Sequence, residues 1–382
     1  MKIAYITNAR PENRAAWSGL SFYMRRSLEL AGLEVEVIGS MLFPPVLWPE
    51  RFVQTGAERM GLARRHIWTF EPRAIRLYTR QIEKRLEAST ADIAFSSGSM
   101  LISQLKTSRP ICFWTDATFA SMENYYFFKD VNTEETFQNG NELERASIGK
   151  ATCGFYSSDW AAQSAIHDYH AKPERIHVVP FGANLENPPT DEEVAKLLDE
   201  RPRTPCRLLF LGVEWVRKGG DFALAVVESL TKQGVRCELN IVGCQPPPEI
   251  LLPPYVNTLG FISNSNPEGQ ARLRGLLANS HFLILPSRAD CTPIVMPEAN
   301  AFGVPVLTTQ TGGIASVVQN GINGFCAPLG ENLVKDLAGY AFELMSNPEK
   351  YRALCLTSRR EFTTRLNWNT SARRIKETLE KL

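Results

Sequence analysis

The sequence predicts an α/β protein with two domains, each built around a parallel sheet. Short apolar runs that are typical of buried strands alternate with longer helical stretches along the whole chain, an order that favours parallel strands joined by helices. The 382 residues suffice for two domains of ordinary size. A stretch rich in proline and charge, 186–205, separates two series of predicted strands and reads as a linker.

The predicted strands are short and apolar, and several end at a glycine or at a polar loop. In the first half they are 2–7, 34–38, 92–95, 111–114, 152–156 and 177–179, and in the second half 207–211, 238–242, 256–259, 282–285 and 306–308. Segment 191–200 inside the linker is a further candidate helix. The sequence therefore predicts a first domain over 1–185 and a second over 206–366.

Composition excludes several classes of protein. The hydrophobic fraction of 44%, the charged fraction of 22% and the net charge of +1 are those of an ordinary globular protein, without the basic excess of a nucleic-acid-binding protein. The eight cysteines are scattered without metal-ligand spacing, so we expect no structural zinc. No metal site and no cofactor are predicted for this chain. Reduced cysteines, the lack of a signal sequence and the lack of a membrane-spanning run predict a cytoplasmic protein.

Two carboxylates in the second half mark a candidate site. Asp290 follows the predicted strand 282–285, and Glu298 lies in the next helix, with seven residues between them. In open α/β sheets, ligands bind outside the carboxyl ends of the strands, and the amino terminus of a helix attracts anions. Two separated acids around such a turn suit a ligand that is part polyol and part phosphate, such as a nucleotide sugar. Two solvated acids in an ordinary strand–loop–helix unit are the alternative.

Two cations follow another predicted strand. Arg217 and Lys218 precede Gly219, at the start of a helix predicted over 222–230. At such a turn they can neutralise a diphosphate, although a lone basic turn of this kind is more often solvated.

Together these segments resemble the family 4 glycosyltransferases, which are retaining enzymes of the GT-B fold. The resemblance is clear in the second half, where the acid-x7-Glu signature begins with Asp290 in place of the usual Glu. It implies two Rossmann-like domains whose parallel sheets face each other across a cleft. It also implies a C-terminal helix, about 367–382, that packs on the first domain. Two other family positions differ, with Val213 in place of an arginine and Ser316 in place of a glutamate.

The resemblance also implies roles for individual residues. Asp290 contacts the donor sugar and Glu298 the ribose, while Lys218, assisted by Arg217, contacts the diphosphate. The remaining donor-binding positions are Gly19, Gly260, Phe261, Cys291, Thr292, Pro293, Ile294 and Val295. In the first half, Asp116 lies where the family often has a histidine beside the transferred sugar. Asp116 is equally well interpreted as the cap of the following helix.

Segment 51–85 is the most basic part of the chain. It is mostly helical by pattern, and Trp68, Phe70, Leu77 and Tyr78 lie among its charges. A solvated helix face that packs through its aromatic side is the favoured interpretation, and contact with an anionic membrane surface is the alternative.

The sequence therefore predicts a metal-independent retaining glycosyltransferase that moves a sugar from a nucleotide sugar to a hydroxyl of a glycan, lipid or small molecule. Two alternatives stay open: another GT-B activity such as a nucleotide-sugar epimerase, and a catalytically silent nucleotide-sugar-binding protein.

Overall fold

A computed structural model describes residues 1–8, 10, 12–14 and 16–382. The chain divides into two compact units. The first unit comprises residues 1–180 and 371–382, and the second comprises residues 181–370. The boundaries predicted from sequence lie a few residues away, at 185 and about 367. The stretch 186–205, predicted as a linker, belongs to the second unit and contains a helix.

The first unit is a six-stranded parallel sheet with helices between its strands, in the order β2-β1-β3-β4-β5-β6. Its strands are β1 (Lys2–Ile6), β2 (Glu34–Ile38), β3 (Ile93–Ser97), β4 (Ile111–Thr115), β5 (Cys153–Tyr156) and β6 (Ile176–Val178). Its helices are α1 (Leu20–Leu30), α2 (Trp48–Arg59), α3 (Pro72–Glu87), α4 (Phe119–Met122), α5 (Glu134–Lys150) and α6 (Asp159–Tyr169).

The second unit repeats this architecture, with the strand order β12-β11-β10-β7-β8-β9 and every pairing parallel. Its strands are β7 (Cys206–Leu211), β8 (Cys237–Val242), β9 (Val256–Thr258), β10 (Phe282–Leu285), β11 (Val306–Thr309) and β12 (Gly324–Ala327). Its helices are α7 (Asp191–Glu200), α8 (Gly220–Lys232), α9 (Pro267–Asn279), α10 (Val295–Ala301), α11 (Leu333–Ser346) and α12 (Pro348–Thr364). The predicted fold class, α/β with two Rossmann-like domains of parallel strands, is confirmed.

The last helix, α13 (Trp368–Leu379), belongs mostly to the first unit. Its buried side chains Ala372, Ile375 and Leu379 recur at helical spacing. The Ser371 hydroxyl donates a 2.6 Å hydrogen bond to the Pro180 carbonyl, and Lys376 Nζ donates to the Ala31 carbonyl at 3.0 Å. The final residues of the chain thus complete a unit that begins at residue 1.

Each unit has its own apolar core between its sheet and its helices. Strands β4, β10 and β11 are buried along their whole length, as expected for central strands of parallel sheets covered by helices, whereas the edge strands β2, β6 and β9 are partly exposed. Cys112, Cys153, Cys206 and Cys237 are buried and form no disulfide. Among the residues described, no helix combines the length and apolar composition that crossing a membrane requires.

The first core contains a buried acid, Glu144 on α5. The Ser99 hydroxyl and the Phe119 N–H both donate to its Oε2, at 3.1 and 3.2 Å, whereas its Oε1 has no hydrogen-bond partner. Burial raises the pKa of Glu144 to about 7.

Glu144 should make the protein less stable as pH rises. The folded protein keeps a proton that the unfolded chain loses above pH 4.5, so the free energy of unfolding should fall between pH 4.5 and about 7 and then level off. Glu144→Gln should remove about 3 kcal/mol of this fall, and urea unfolding at pH 5 and pH 8 would measure it. Glu87→Gln, at an exposed position of α3, is the control. An unchanged pH slope in Glu144→Gln would contradict the assignment.

Candidate functional site

The candidate site lies where the strand order of the second sheet reverses. From β7 the chain continues to β8 and β9 on one side, and then crosses to β10, β11 and β12 on the other. The loops that leave β7 and β10 therefore diverge at the carboxyl edge of the sheet and open a crevice between them. Ligands of open α/β sheets bind at this switch point. The two loops are 212–219 and 286–294, and they contain Arg217, Lys218 and Asp290, which the sequence analysis singled out.

The two loops are held in direct contact by their backbones. Gly219 has a φ of +74°, and a Cβ built on it would lie 2.0 Å from the carbonyl oxygen of Pro286, so no larger residue fits there without movement. The Arg288 N–H donates a 2.7 Å hydrogen bond to the Arg217 carbonyl. The glycine thus lets the basic turn approach the end of β10, and this approach positions the side chains of the crevice.

Lys218 and Asp290 form an ion pair across this crevice, which joins two residues 72 positions apart. Both side chains are largely shielded from solvent, with exposed fractions of 13% and 8%. The Ser287 hydroxyl lies 3.4 Å from the same carboxylate oxygen of Asp290. From the sequence, we expected Lys218 to contact the diphosphate of a donor and Asp290 to contact its sugar. The structure brings the two side chains together.

Arg217 also links the two loops. Its Nε pairs with Glu214 at 2.6 Å, and its Nη1 donates to the Ala289 carbonyl at 3.0 Å. Arg217 directly precedes Lys218 in the sequence. The sequence predicted it as a second cation for a diphosphate, and the structure shows that it already has an acidic partner.

Arg288 is a cation of this region that the sequence did not single out. Its guanidinium makes two hydrogen bonds to Asp221, at 2.8 and 2.6 Å, and stacks on the Phe222 ring, 4.1 Å from the centroid. It therefore fastens the loop after β10 to the start of α8. No local pattern links positions 221 and 288, so only the folded structure reveals the pair.

Glu298 lies in α10, with 8% of its surface exposed. Burial raises the pKa of its carboxyl to about 8, and a hydrogen bond from the backbone N–H of Asn184 partly offsets this rise. Glu298 is thus not one of two solvated acids, which was the alternative interpretation of the motif. Asn184 itself belongs to the second unit.

The residues between the two acids are not a solvated loop either. Cys291, Thr292, Pro293 and Ile294 are all buried, and Val295 is half-buried. In the part of the chain that the structure describes, the backbone N–H groups of Ile294 and Val295 donate no hydrogen bond, as is usual in the first turn of a helix. These two donors lie between Asp290 and Glu298 in the sequence.

Glycines also allow close contacts between the loops that follow β7, β8 and β9, at the carboxyl edge of the second sheet. A Cβ on Gly243, which follows β8, would lie 2.6 Å from the Gly212 carbonyl oxygen. The Gly243 N–H donates to the Gly260 carbonyl at 2.9 Å, which joins the ends of β8 and β9. Phe261 comes next and is 73% exposed. On the other side, the Gly313 N–H donates to the Asp290 carbonyl at 3.3 Å.

Two predicted residues, Gly19 and Asp116, lie in the first unit at the carboxyl ends of its strands. Gly19 has a φ of +81° and follows Trp17 and Ser18, which also have positive φ values of 48° and 52°, so the turn before α1 is strained. Asp116 directly follows β4. The helix cap proposed for it is instead Thr118, whose hydroxyl accepts from the Ser121 N–H at 3.2 Å.

This architecture defines the class of protein. Two Rossmann-like units of parallel strands in one chain are the architecture of the GT-B fold. Residues 205–347 match the family model described as "Glycosyl transferases group 1". The resemblance to family 4 glycosyltransferases that the sequence indicated is thereby confirmed.

Individual relatives agree with this class. The chain is 28% identical over 229 residues to "D-inositol 3-phosphate glycosyltransferase" of Thermobispora bispora, covering 56% of this chain and 53% of the relative. It is 28% identical over 182 residues to "Glycogen synthase" of Mycobacterium tuberculosis, covering 45% and 42%. The chain thus spans about half the length of the curated relatives that it matches.

Solved structures show the same fold at low sequence identity. Sucrose-phosphate synthase from Thermosynechococcus elongatus has a TM-score of 0.71 at 14% identity, covering 100% of this chain and 98% of that one. Anabaena HepE, solved in complex with UDP and glucose, has a TM-score of 0.64 at 16% identity and full coverage of both chains.

Proposed function

We propose that this protein is a retaining glycosyltransferase that moves a sugar from a nucleoside-diphosphate sugar to an acceptor hydroxyl. The observation that carries the proposal is the Lys218–Asp290 pair at the switch point, next to the unbonded N–H groups of Ile294 and Val295. Cation, carboxylate and amide donors there match the three parts of the reaction that need stabilisation: the diphosphate, the sugar hydroxyls and the developing charge.

In the proposed reaction, the bond between the anomeric carbon and the diphosphate breaks, and negative charge develops on the leaving diphosphate. Lys218, Arg217 and the two amides stabilise that charge, and Asp290 holds the sugar hydroxyls. The acceptor oxygen bonds to the anomeric carbon on the face that the diphosphate leaves, which retains the configuration. The acceptor proton passes to the leaving phosphate oxygen, so the reaction requires no separate base.

The remaining donor contacts follow the same resemblance. Glu298 accepts hydrogen bonds from the ribose, Gly260 and Phe261 lie beside the base, and Cys291, Thr292 and Pro293 form the wall between sugar and diphosphate. The same resemblance assigns Gly19 to the donor phosphates and Asp116 to the transferred sugar. The proposal includes no metal and no cofactor.

The proposal is tested by incubating the protein with a panel of nucleotide sugars and candidate acceptors. We expect release of nucleoside diphosphate together with a glycoside that keeps the donor's anomeric configuration, detected by proton NMR. Binding without turnover across the panel would support the silent binding protein instead. Conversion of the donor sugar without transfer would support an epimerase.

The two acids should separate in binding experiments. Asp290→Asn should weaken the binding of nucleotide sugars but hardly affect the bare nucleoside diphosphate. Glu298→Gln should weaken both, by about 1.5–3 kcal/mol, because charge-assisted hydrogen bonds to the ribose are lost. Calorimetry with each nucleoside diphosphate and its sugar conjugate measures the difference. Wild-type affinities in both variants would show that neither carboxylate contacts the donor.

The raised pKa of Glu298 adds a pH dependence to this experiment. Ribose hydroxyls donate to the ionised carboxylate, which is the minor form below pH 8. Nucleotide affinity should therefore weaken about tenfold for each pH unit below 8 in the wild type and in Asp290→Asn. The nucleotide affinity of Glu298→Gln should not change with pH. A pH profile shared by all three proteins would contradict the ribose contact.

We also propose contact with an anionic membrane surface, through an apolar patch around α2. The patch consists of seven large side chains with exposed fractions between 60% and 82%: Leu42, Val46, Trp48, Phe52, Val53, Met60 and Leu62. Helix α2 has no buried residue, whereas α3 packs through Ile75, Ile82 and Leu86. The interpretation of 51–85 as a packed helix face therefore applies to α3 only.

The charge around the patch suits an anionic surface. Residues 48–65 contain four arginines and two glutamates, and one of these glutamates, Glu50, is bound by Arg73 through two hydrogen bonds of 2.8 and 3.0 Å. Exposed apolar and aromatic side chains beside arginines are typical of helices that lie in a membrane interface.

Vesicle flotation would test this contact. The protein should bind vesicles that contain phosphatidylglycerol more strongly than pure phosphatidylcholine vesicles, and added salt should weaken the binding. Phe52→Asp should reduce binding at least tenfold, since a buried phenylalanine contributes about 1.5–3 kcal/mol. Leu251→Asp, at a side chain 93% exposed in the second unit, should have no effect. Equal loss in both variants, or dimerisation through the patch without lipid binding, would contradict the proposal.

A further inference from the structure

A second cavity lies at the opposite edge of the second sheet from the switch point. Its volume is about 660 Å³, which is within the range of small-molecule pockets. It is lined by the segments that precede β7, β8 and β10 and by the junction of α11 with α12. Since β7 has six residues at about 3.3 Å each, this cavity and the switch point are about 20 Å apart along the strand.

A buried arginine belongs to the lining of the cavity. Arg201 is 8% exposed and donates to the Tyr351 hydroxyl at 3.0 Å and to the Ala278 carbonyl at 3.1 and 3.3 Å. The Tyr351 hydroxyl in turn donates to the His281 carbonyl at 3.0 Å. These bonds fix a guanidinium, which stays charged in proteins, within the wall of the cavity.

The neighbouring histidine is neutral and adds no charge. His281 Nδ1 accepts a 2.9 Å hydrogen bond from the Arg207 N–H. Burial, together with the charges of Arg201 and Arg207, lowers the pKa of His281 to about 4. The wall therefore combines one fixed cation with neutral polar groups.

Three more arginines line the cavity. Arg352 pairs with Asp199 at 2.5 Å. In the described part of the chain, the side chains of Arg203 and Arg236 make no ion pair or hydrogen bond. With four arginines against one aspartate, the lining has a net charge of +3. Both side chains are exposed, and a guanidinium of this kind can bind two oxygens of one phosphate group.

We propose that this cavity binds a phosphorylated small molecule of the size of a sugar phosphate. The arginines provide the phosphate contacts, and the volume exceeds what an inorganic phosphate ion fills. Val235, Leu344 and Met345 provide apolar surface for the organic part of the ligand. The site is independent of the proposed donor site, and its test requires no glycosyl transfer.

Isothermal titration calorimetry of the full chain with glucose 6-phosphate, at low ionic strength, tests the proposal. Glucose and inorganic pyrophosphate serve as comparison titrants. Arg203→Glu and Arg236→Glu should each weaken the binding of glucose 6-phosphate at least tenfold. Arg203→Gln and Arg236→Gln should weaken it less. Because both side chains are exposed and unpartnered, the ligand-free melting temperature should not change.

Two further variants distinguish the cavity from other cationic sites. Arg272→Glu, at an exposed position of α9 outside the cavity, and Lys218→Ala, at the switch point, should bind glucose 6-phosphate like the wild type. The proposal is overturned if the wild type binds no glucose 6-phosphate, or binds only pyrophosphate. It is also overturned if either of these two variants loses binding to the same extent as Arg203→Glu.

Discussion

Replacing Lys218 by alanine should lower glycosyl transfer at least about 100-fold. In the proposed reaction, negative charge develops on the diphosphate in a crevice where Lys218 is only 13% exposed. A preorganised charge in such a shielded site typically contributes about 2.7–4 kcal/mol to transition-state stabilisation. Initial rates of nucleoside diphosphate release would measure the loss. Lys335→Ala, which removes an exposed lysine of α11, should retain full activity.

The ion pair with Asp290 makes a second comparison necessary. Lysine could act indirectly, by neutralising Asp290, and then adding Asp290→Asn to Lys218→Ala would restore activity to the level of Asp290→Asn alone. We expect no such rescue, because the lysine charge is required at the diphosphate itself. A double variant as active as Asp290→Asn alone, or near-normal turnover in Lys218→Ala, would remove Lys218 from the reaction.

Replacing Gly219 by alanine should destabilise the second unit by about 3 kcal/mol or more. The new Cβ would lie 2.0 Å from the Pro286 carbonyl oxygen, and backbone atoms of a buried strand end cannot move away as a flexible side chain can. The positive φ adds a further cost of about 1 kcal/mol. Thermal and urea unfolding would measure the effect, and nucleotide binding should weaken in parallel because the two loops separate.

Gly321 provides a matched control for this experiment. Its φ of +75° is nearly that of Gly219, but a Cβ there has no neighbour within 4 Å. Gly321→Ala should therefore show only the conformational cost, about 1 kcal/mol. The difference between the two variants measures the close approach of the two loops. Equal destabilisation would show that the approach at Gly219 imposes no constraint.

The alternation of apolar runs was sufficient to predict most of the fold. The strands 34–38 and 282–285 lie at their predicted positions, and the helix 191–200 does as well. Strand β12 was not predicted, because Gly324–Ala327 has four residues and follows a glycine-rich turn without any alternating pattern. Local sequence determines local structure, and short strands that depend on a neighbour for their pairing carry little signal of their own.

The candidate site was predictable in its position but not in its contacts. Strand ends followed by acids, cations and glycines indicated the carboxyl edge of the second sheet. The pairing of Lys218 with Asp290, and of Arg288 with Asp221, depends on which strands become neighbours, and the sequence pattern of either segment does not contain that information. The burial of Glu298 likewise results from segments that are distant in sequence.

The position of α13 has a consequence for how the protein folds during its synthesis on the ribosome. In topological terms the second unit is an insertion between Pro180 and Ser371, which the Ser371–Pro180 hydrogen bond closes. The usual order, in which the N-terminal domain of a nascent chain folds first, cannot be completed here. All residues of the second unit have been synthesised before residues 371–382, which belong to the first unit. The first unit, most of which is synthesised before the second, can therefore complete its folding only after the second unit has been synthesised.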